Sequence, residues 1–335
     1  MDYFRPVPQS DPHRPAGAVT LAGGWCWFTQ VERLSRTEAP ALIPAHEVPA
    51  AVLERLCAPR AALAGLDMGR PRLMGILNVT PDSFSDGGLF MDPEAALAQA
   101  RAMQVAGADI IDVGGESTRP GAIEIGVEEE VGRTAPVIAA IRAGRDGPIS
   151  IDTRKSMVAR AAMGAGASML NDISAFSYDS RMAPFAADSG LPICLMHAQG
   201  TPQDMQDDPT YDDVLLDVYD FLADRIAQAE AAGTPRARIV VDPGIGFGKT
   251  LAHNLALLRR LSLFHALGCP VLLGASRKRF IGTLADAPEA RDRVPGSLAV
   301  ALHGLAQGVQ ITRVHDTTET RQAVQIAVAL RGEAP

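Results

Sequence analysis

The stretch IIDVGGESTRPGAIEIGVEEEVGRTAPVIAAIRAGRDGPISI, residues 110–151, holds the key to the architecture. It opens on a short apolar run, Ile110 to Val113, which ends in a glycine-rich polar loop. Apolar residues then step by three or four through Val127, Val131, Ala135 and Ile138, before a second apolar run at Ile149 to Ile151. Apolar runs without strict alternation are what strands buried on both faces of a parallel sheet require, and the stepping between them is helical.

The unit recurs along the chain. Leu73 to Leu77, Met169 to Leu170, Ile193 to Met196, Ile239 to Val241, Val271 to Leu273 and Ile311 to Val314 bring the apolar runs to eight. Between two of them Val214, Val218, Phe221 or Leu222, and Ile226 carry helical spacing, entered through Asp212 and Asp213, whose charge suits a helix N-terminus. Eight such units over residues 71–335 predict an α/β fold, a (β/α)8 TIM barrel. An open doubly wound sheet is the alternative, because periodicity does not report closure. Residues 1–70 have a different texture: a Pro-rich start, a hairpin expected around Gly23, Gly24 and Trp25, and an Ala-rich stretch from Val48 to Leu66 expected to be helical. They read as an N-terminal extension of unknown role ahead of the 71–335 barrel domain.

With 31 basic against 39 acidic side chains the formal charge is −8, which argues against a nucleic-acid partner. Hydrophobic residues at 47% allow a large core. Cys26, Cys57, Cys194 and Cys269 are far apart and form no CxxC pair, so neither a zinc cage nor a disulfide framework is signalled. Reduced thiols, a start without an export signal and the lack of a membrane span lead to the expectation of a cytoplasmic protein.

The polar residues just beyond each apolar run carry the chemistry: Asn78, then Asp112 with Glu116 to Arg119, Asp152, Asn171 with Asp172, His197, Asp242, Ser276 to Lys278, and Arg313 with His315. In a barrel these positions share the carboxyl-end face, where this architecture places its active site. Any one Asp or Asn there is equally a helix cap or turn former, but capping does not explain all eight. Asp152, Asn171 and Asp242 are short acceptor-bearing side chains suited to a flat, donor-rich heterocycle such as a pterin, and Lys278 suits its carbonyl oxygen. Arg119, Arg313 and His315 suit an anionic leaving group such as diphosphate, with Asn78 an oxygen ligand for a bridging Mg²⁺.

DPGIGFGKT (242–250) approaches a Walker A loop but fails it, because Pro243 stands where the first glycine belongs. It reads instead as a tight strand-to-helix turn that admits a ligand close to backbone. The small polar loop from Asn78 to Gly88 has the composition of an active-site lid. His197 receives no role, and His253 and His303 fall in expected helices and are assigned to packing or surface.

In order along the chain, MGILNVTPDSFSDGG (74–88), DVGGESTRPG (112–121), IDTRK (151–155), NDIS (171–174), DPGIGFGKT (242–250), Ser276 to Lys278 and RVHD (313–316) resemble the dihydropteroate synthase family over roughly residues 71 to 331. The resemblance implies a transferase joining 7,8-dihydropterin-6-ylmethyl diphosphate to p-aminobenzoate, with release of diphosphate. It implies that Asp152, Asn171, Asp242 and Lys278 hold the pterin, with Met196, Phe247 and Gly274 lining its slot. Asn78, Thr118, Arg313 and His315 would hold diphosphate, Asn78 also Mg²⁺. Phe84, Arg119, Pro120 and Ser276 would complete the aminobenzoate site. The catalytic set would be Asp86, Arg119, Lys278, Arg313 and His315, and the assembly a homodimer. A pterin-binding methyltransferase shares the barrel and the acidic pterin contacts but has no use for the diphosphate apparatus. A catalytically silent paralogue would lack one of the named residues, and none is missing.

Overall fold

The computed structural model describes residues 1–80, 93–117, 121–144, 146–200 and 205–332. Five short strands come first: β1 (Asp2–Pro6), β2 (Val19–Thr20), β3 (Trp27–Phe28), β4 (Gln30–Ser35) and β5 (Ala41–Pro44), followed by helix α1 (Ala50–Cys57). Eight strands then occupy the positions of the apolar runs: β6 (Arg72–Asn78), β7 (Ile110–Gly114), β8 (Ile149–Asp152), β9 (Met169–Asp172), β10 (Ile193–Met196), β11 (Ile239–Asp242), β12 (Leu272–Leu273) and β13 (Ile311–Val314). Between and after them lie α2 (Pro93–Val105), α3 (Val127–Ala143), α4 (Ser156–Gly164), α5 (Met182–Ser189), α6 (Val214–Ala232), α7 (Leu251–Arg259), α8 (Arg279–Ala285), α9 (Val294–Ala306) and α10 (Thr317–Ala329). Among the described residues no helix is long and apolar enough to cross a membrane.

The eight strands pair in parallel in the order β11-β10-β9-β8-β7-β6-β13-β12. A parallel bridge between Val241 and Val271, with Val241 N–H donating to Pro270 O at 3.0 Å, joins the two ends. The sheet is therefore a closed barrel, and the open-sheet alternative is excluded.

Strand periodicity does the positioning. Met74, Ile110, Met169, Cys194, Val240, Leu272 and Ile311 form one buried cluster, the lower layer of the barrel interior. Side chains two residues on point to the same face. Above this layer stand Asp112, Asn171, Met196, Asp242, Gly274 and Arg313, each two residues after a member of it, with Asn78 four residues after Met74. The interior is a packed core below and a polar ring above.

Helix α6 starts as its acidic entry suggests, with the Asp213 carboxylate accepting from Leu215 N and Leu216 N. Helix α3 forms where expected but turns a different face inward, burying Glu130, Thr134, Val137, Ile138 and Ile141, while Val127 is exposed. The reason is ionic: Lys155 Nζ draws Glu130 inward at 2.7 Å. In the first 70 residues β2 and β3 flank Gly23 to Trp25 as a hairpin, but α1 ends at Cys57 rather than running to Leu66, since Pro59 holds the preceding residue out of helical geometry.

Those 70 residues are built into the barrel. Leu63 and Met68 belong to the lower layer itself, and Tyr3, Phe4, Trp25, Phe28 and Val31 share one core cluster with barrel residues. Trp25 Nε1 donates to Leu305 O at 2.8 Å, while Arg60 Nη2 donates to His265 O and Arg55 Nε to Ala266 O, both at 2.9 Å, capping carbonyls of the short helical segment before β12. Deleting residues 1–68 is therefore expected to leave an insoluble or strongly destabilised barrel, because each large core side chain removed costs about 2–5 kcal/mol. Solubility and thermal unfolding check this. A soluble truncated chain melting with the full-length protein would reduce the segment to decoration.

Candidate active site

The polar ring is organised around Arg313, which rises from β13 into the barrel mouth. Its Nε donates to Asp112 Oδ2 at 2.6 Å and its Nη2 to Asp152 Oδ2 at 2.6 Å. Asn171 Nδ2 donates to the same Asp112 oxygen at 3.2 Å, so Asp112, fully buried, is the hub of three strands. Its other oxygen, Oδ1, has no hydrogen-bond partner among the described residues. Burial works against the Arg313 charge, but Asp112 and Asp152 outweigh it and hold the guanidinium above its ordinary value. Burial pushes the Asp152 carboxyl up, a shift that Arg313 opposes and Asp112 reinforces.

Across the mouth, Asp242 Oδ1 accepts from Gly244 N at 2.7 Å. Burial raises its pKa and the neighbouring Lys278 opposes the rise. Burial pushes the Lys278 ammonium down to about 7, against the pull of Asp242. Lys278 Nζ lies 4.1 Å from the centroid of the Phe247 ring and donates to Ile245 O. Gly274 stands between this pair and Arg313: a Cβ there would come 3.5 Å from Asp242 Oδ2 and 3.9 Å from Arg313 Cβ. Gly244, at φ +68°, is obligatory, since a Cβ would fall 1.8 Å from His197 O.

Ser276 and His315 meet at the third side: His315 N–H donates to Ser276 Oγ at 3.2 Å and the imidazole Nδ1 lies 3.1 Å from the same oxygen. Asn78 ends β6 opposite Asp152; a Cβ on the intervening Gly114 would sit 3.4 Å from Asn78 Oδ1 and 3.8 Å from Asp152 Oδ2. Met196 closes β10 and is buried. The structure thus brings together Asn78, Asp152, Asn171, Met196, Asp242, Phe247, Gly274, Ser276, Lys278, Arg313 and His315. Phe84, Asp86, Thr118, Arg119 and Pro120 lie outside the described residues.

Sequence reasoning leaves three functional groups without roles. Asp112 reads as one strand-end residue among several, although its place two residues after Ile110 puts it on the inward face. Glu116 accepts from Arg154 Nη2 at 2.9 Å, Lys155 Nζ at 3.0 Å and Ile125 N at 3.0 Å, which hold its pKa down against burial. Lys249 is buried against His197, its Nζ 2.8 Å from the imidazole Nδ1. No sequence signal marks that pair, because the two residues are 52 positions apart.

The ring offers short carboxylate and amide acceptors, an ammonium beside an aromatic face, and a guanidinium with an imidazole, which suits a flat nitrogen heterocycle carrying an anionic substituent. Known proteins agree. The family model described as pterin binding enzyme matches residues 74–315. Over 264 residues the chain is 48% identical to the dihydropteroate synthase of Escherichia coli K12, an alignment covering 79% of this chain and 93% of that one. The structure of Xanthomonas albilineans dihydropteroate synthase with 4-aminobenzoic acid matches with a TM-score of 0.77 and 46% identity, covering 82% of this chain and 98% of that one. The same organism's enzyme in complex with 7,8-dihydropteroate matches with a TM-score of 0.74 and 43% identity, covering 82% and 99%. With its motifs gathered at one barrel mouth and its relatives alike over nearly their whole length, the chain belongs to the pterin binding enzyme family, among the dihydropteroate synthases.

Proposed function

We propose that this barrel condenses 7,8-dihydropterin-6-ylmethyl diphosphate with p-aminobenzoate, releasing 7,8-dihydropteroate and diphosphate. The observation that carries the reading is the single ring in which Asp112, Asp152, Asn171, Asp242 and Lys278 stand beside Arg313 and His315. The relatives' complexes with 4-aminobenzoic acid and 7,8-dihydropteroate support it.

In this reading the acidic and amide side chains accept from the ring N–H groups and Lys278 donates to the ring carbonyl. The exocyclic C–O bond breaks with its electron pair leaving on diphosphate, where Arg313 and His315 meet the developing charge. The arylamine lone pair then forms the C–N bond, and its surplus proton leaves to solvent or diphosphate. Cleavage of this kind needs positioning and charge stabilisation more than a strong base. Mg²⁺ belongs to the proposal: Asn78 Oδ1 is a neutral, hard oxygen beside Asp152, the donor type that suits an ion taking its other oxygens from diphosphate and water. Bound there, the ion would neutralise leaving-group charge. Asp86, Thr118, Arg119, Pro120 and Phe84 enter only as the resemblance assigns them, to diphosphate, aminobenzoate and the pterin cation. A homodimer and a cytoplasmic location complete the proposal.

Purified protein given both substrates and Mg²⁺ should form dihydropteroate and diphosphate in equal amounts. Asp152, Asn171, Met196 and Asp242 of the pterin set lie on strand ends, and the resemblance assigns p-aminobenzoate to Phe84, Arg119 and Pro120 in the segments that follow two of the strands, so p-aminobenzoate is expected to bind well only to enzyme preloaded with a pterin, diphosphate and Mg²⁺. Calorimetric titration into free and preloaded enzyme checks this. Equal affinity in the two would sink the binding order, and absence of product would sink the function.

A further inference from the structure

We infer that Lys249 is a positioning residue for the pterin slot, acting on the ligand only through the backbone that presents Phe247. The inference rests on the pterin reading above. Residues 243–249 carry Gly244, Gly246 and Gly248 at positive φ, a backbone that has no conformational preference of its own to hold it. Its carbonyls are instead taken up one after another by side chains. Ile245 O accepts from Lys278 Nζ, Gly246 O from Gln206 Nε2 at 2.8 Å, Phe247 O from Lys249 Nζ at 2.9 Å, Gly248 O from Tyr211 Oη at 2.7 Å, and Lys249 O from Asn254 Nδ2 at 3.3 Å.

Among these tethers Lys249 is the one that ties the loop to the barrel wall. Besides Phe247 O its Nζ reaches His197 Nδ1 at 2.8 Å and His197 O at 3.4 Å, so all three of its polar contacts lie on the loop and on the residue after β10. His197 comes directly after β10, and its own N–H donates to Asp242 O at 3.0 Å. One buried side chain therefore links the Phe247 carbonyl to the strand ends carrying Met196 and Asp242. Phe247 itself is only half-buried, with glycines on both sides, so the position of its ring against Lys278 depends on this backbone. Burial pushes the Lys249 amine down and the His197 imidazole down to about 2, so His197 is uncharged and the 2.8 Å contact between Nζ and Nδ1 is a hydrogen bond rather than a repulsion of two cations.

The test uses the full chain carrying Lys249→Met or, as the milder change, Tyr211→Phe. The readouts are calorimetric affinity for an unreactive pterin analogue and steady-state KM for each substrate. Lys249→Met is expected to raise the pterin Kd and KM by about tenfold, as loss of binding common to ground and transition state does, and to leave kcat at saturating pterin and the p-aminobenzoate KM within about twofold. Tyr211→Phe should move the same two quantities less. On a Phe247→Ala background, either change should add less than about twofold to the pterin Kd, because its effect passes through Phe247. Additive effects on that background, equal rises in both KM values, or wild-type affinity in the folded variants would overturn the assignment. If Lys249→Met does not fold, Tyr211→Phe and its combination with Phe247→Ala decide the matter by the same criteria. An unchanged chain that fails to bind the analogue would overturn the pterin reading, and this assignment with it.

Discussion

Arg313→Met should yield a protein that is destabilised above neutral pH and inactive at every pH. The guanidinium bridges Asp112 and Asp152 at 2.6 Å each, and Asp112 is fully buried. Removing the cation strands two carboxylates in one mouth, and breaking a buried pair in this way costs about 3–5 kcal/mol. Asp152 can limit the loss by taking up a proton, the direction in which burial already pushes it. Without Arg313, which opposes the rise, the folded-state pKa of Asp152 stands further above its unfolded value, so the folded variant binds more protons there and its stability falls as pH rises. Thermal unfolding from about pH 5 to about pH 8 should show a small deficit at the acid end that widens toward the alkaline end. Catalysis falls for a separate reason: the departing diphosphate loses its guanidinium, and one such charge partner is worth about 10²–10³ in rate or more. Adding Asp152→Asn should recover part of the stability and none of the activity. A variant as stable as the parent in mild alkali, or one that still forms dihydropteroate at the parent rate, would remove Arg313 from the centre of this site.

Pterin affinity should fall as pH rises above 7. Burial holds Lys278 at about 7, so the free protein loses this ammonium over the next pH unit, whereas the ring carbonyl needs it as a donor. Binding then carries proton uptake, and affinity is expected to drop by up to about tenfold per pH unit above 7. Asp242, raised by burial, becomes a better acceptor for the ring N–H groups as it loses its proton, so its titration does not account for an affinity loss as pH rises. Calorimetry in buffers of different ionisation enthalpy, with an analogue that does not itself titrate in mild alkali, measures the uptake directly. Lys278→Met should bind weakly, by about 10–100-fold, with a flat profile, because a ligand carbonyl left unpaired in a buried slot costs about 1–3 kcal/mol. An unchanged pH profile in Lys278→Met would assign the titration to another group.

Most of the barrel is legible from residues 71–331 because a buried parallel strand must be an apolar run and the helix behind it must be amphipathic, both local requirements. The polar residue ending each run is legible for the same reason, since a carboxyl-end loop begins where the apolar run stops. The resemblance then names roles for those residues that their chemistry already bounds. Asp112 receives no role from the sequence, because its partners Arg313 and Asn171 lie 201 and 59 positions away and only closure of the sheet brings them to it. The inward face of α3 departs from its apolar stripe because Lys155 draws Glu130 into the interior, an ion pair that hydrophobic periodicity does not register. The first 70 residues carry no barrel pattern, yet Leu63 and Met68 complete its lower layer. Chain order alone establishes the series of strands, helices and strand-end side chains, each set by short-range periodicity and the burial of apolar surface. Which of those side chains share a proton, a charge or a carbonyl is settled by the closed barrel, because such interactions depend on distances of about 3 Å between residues that chain order keeps far apart.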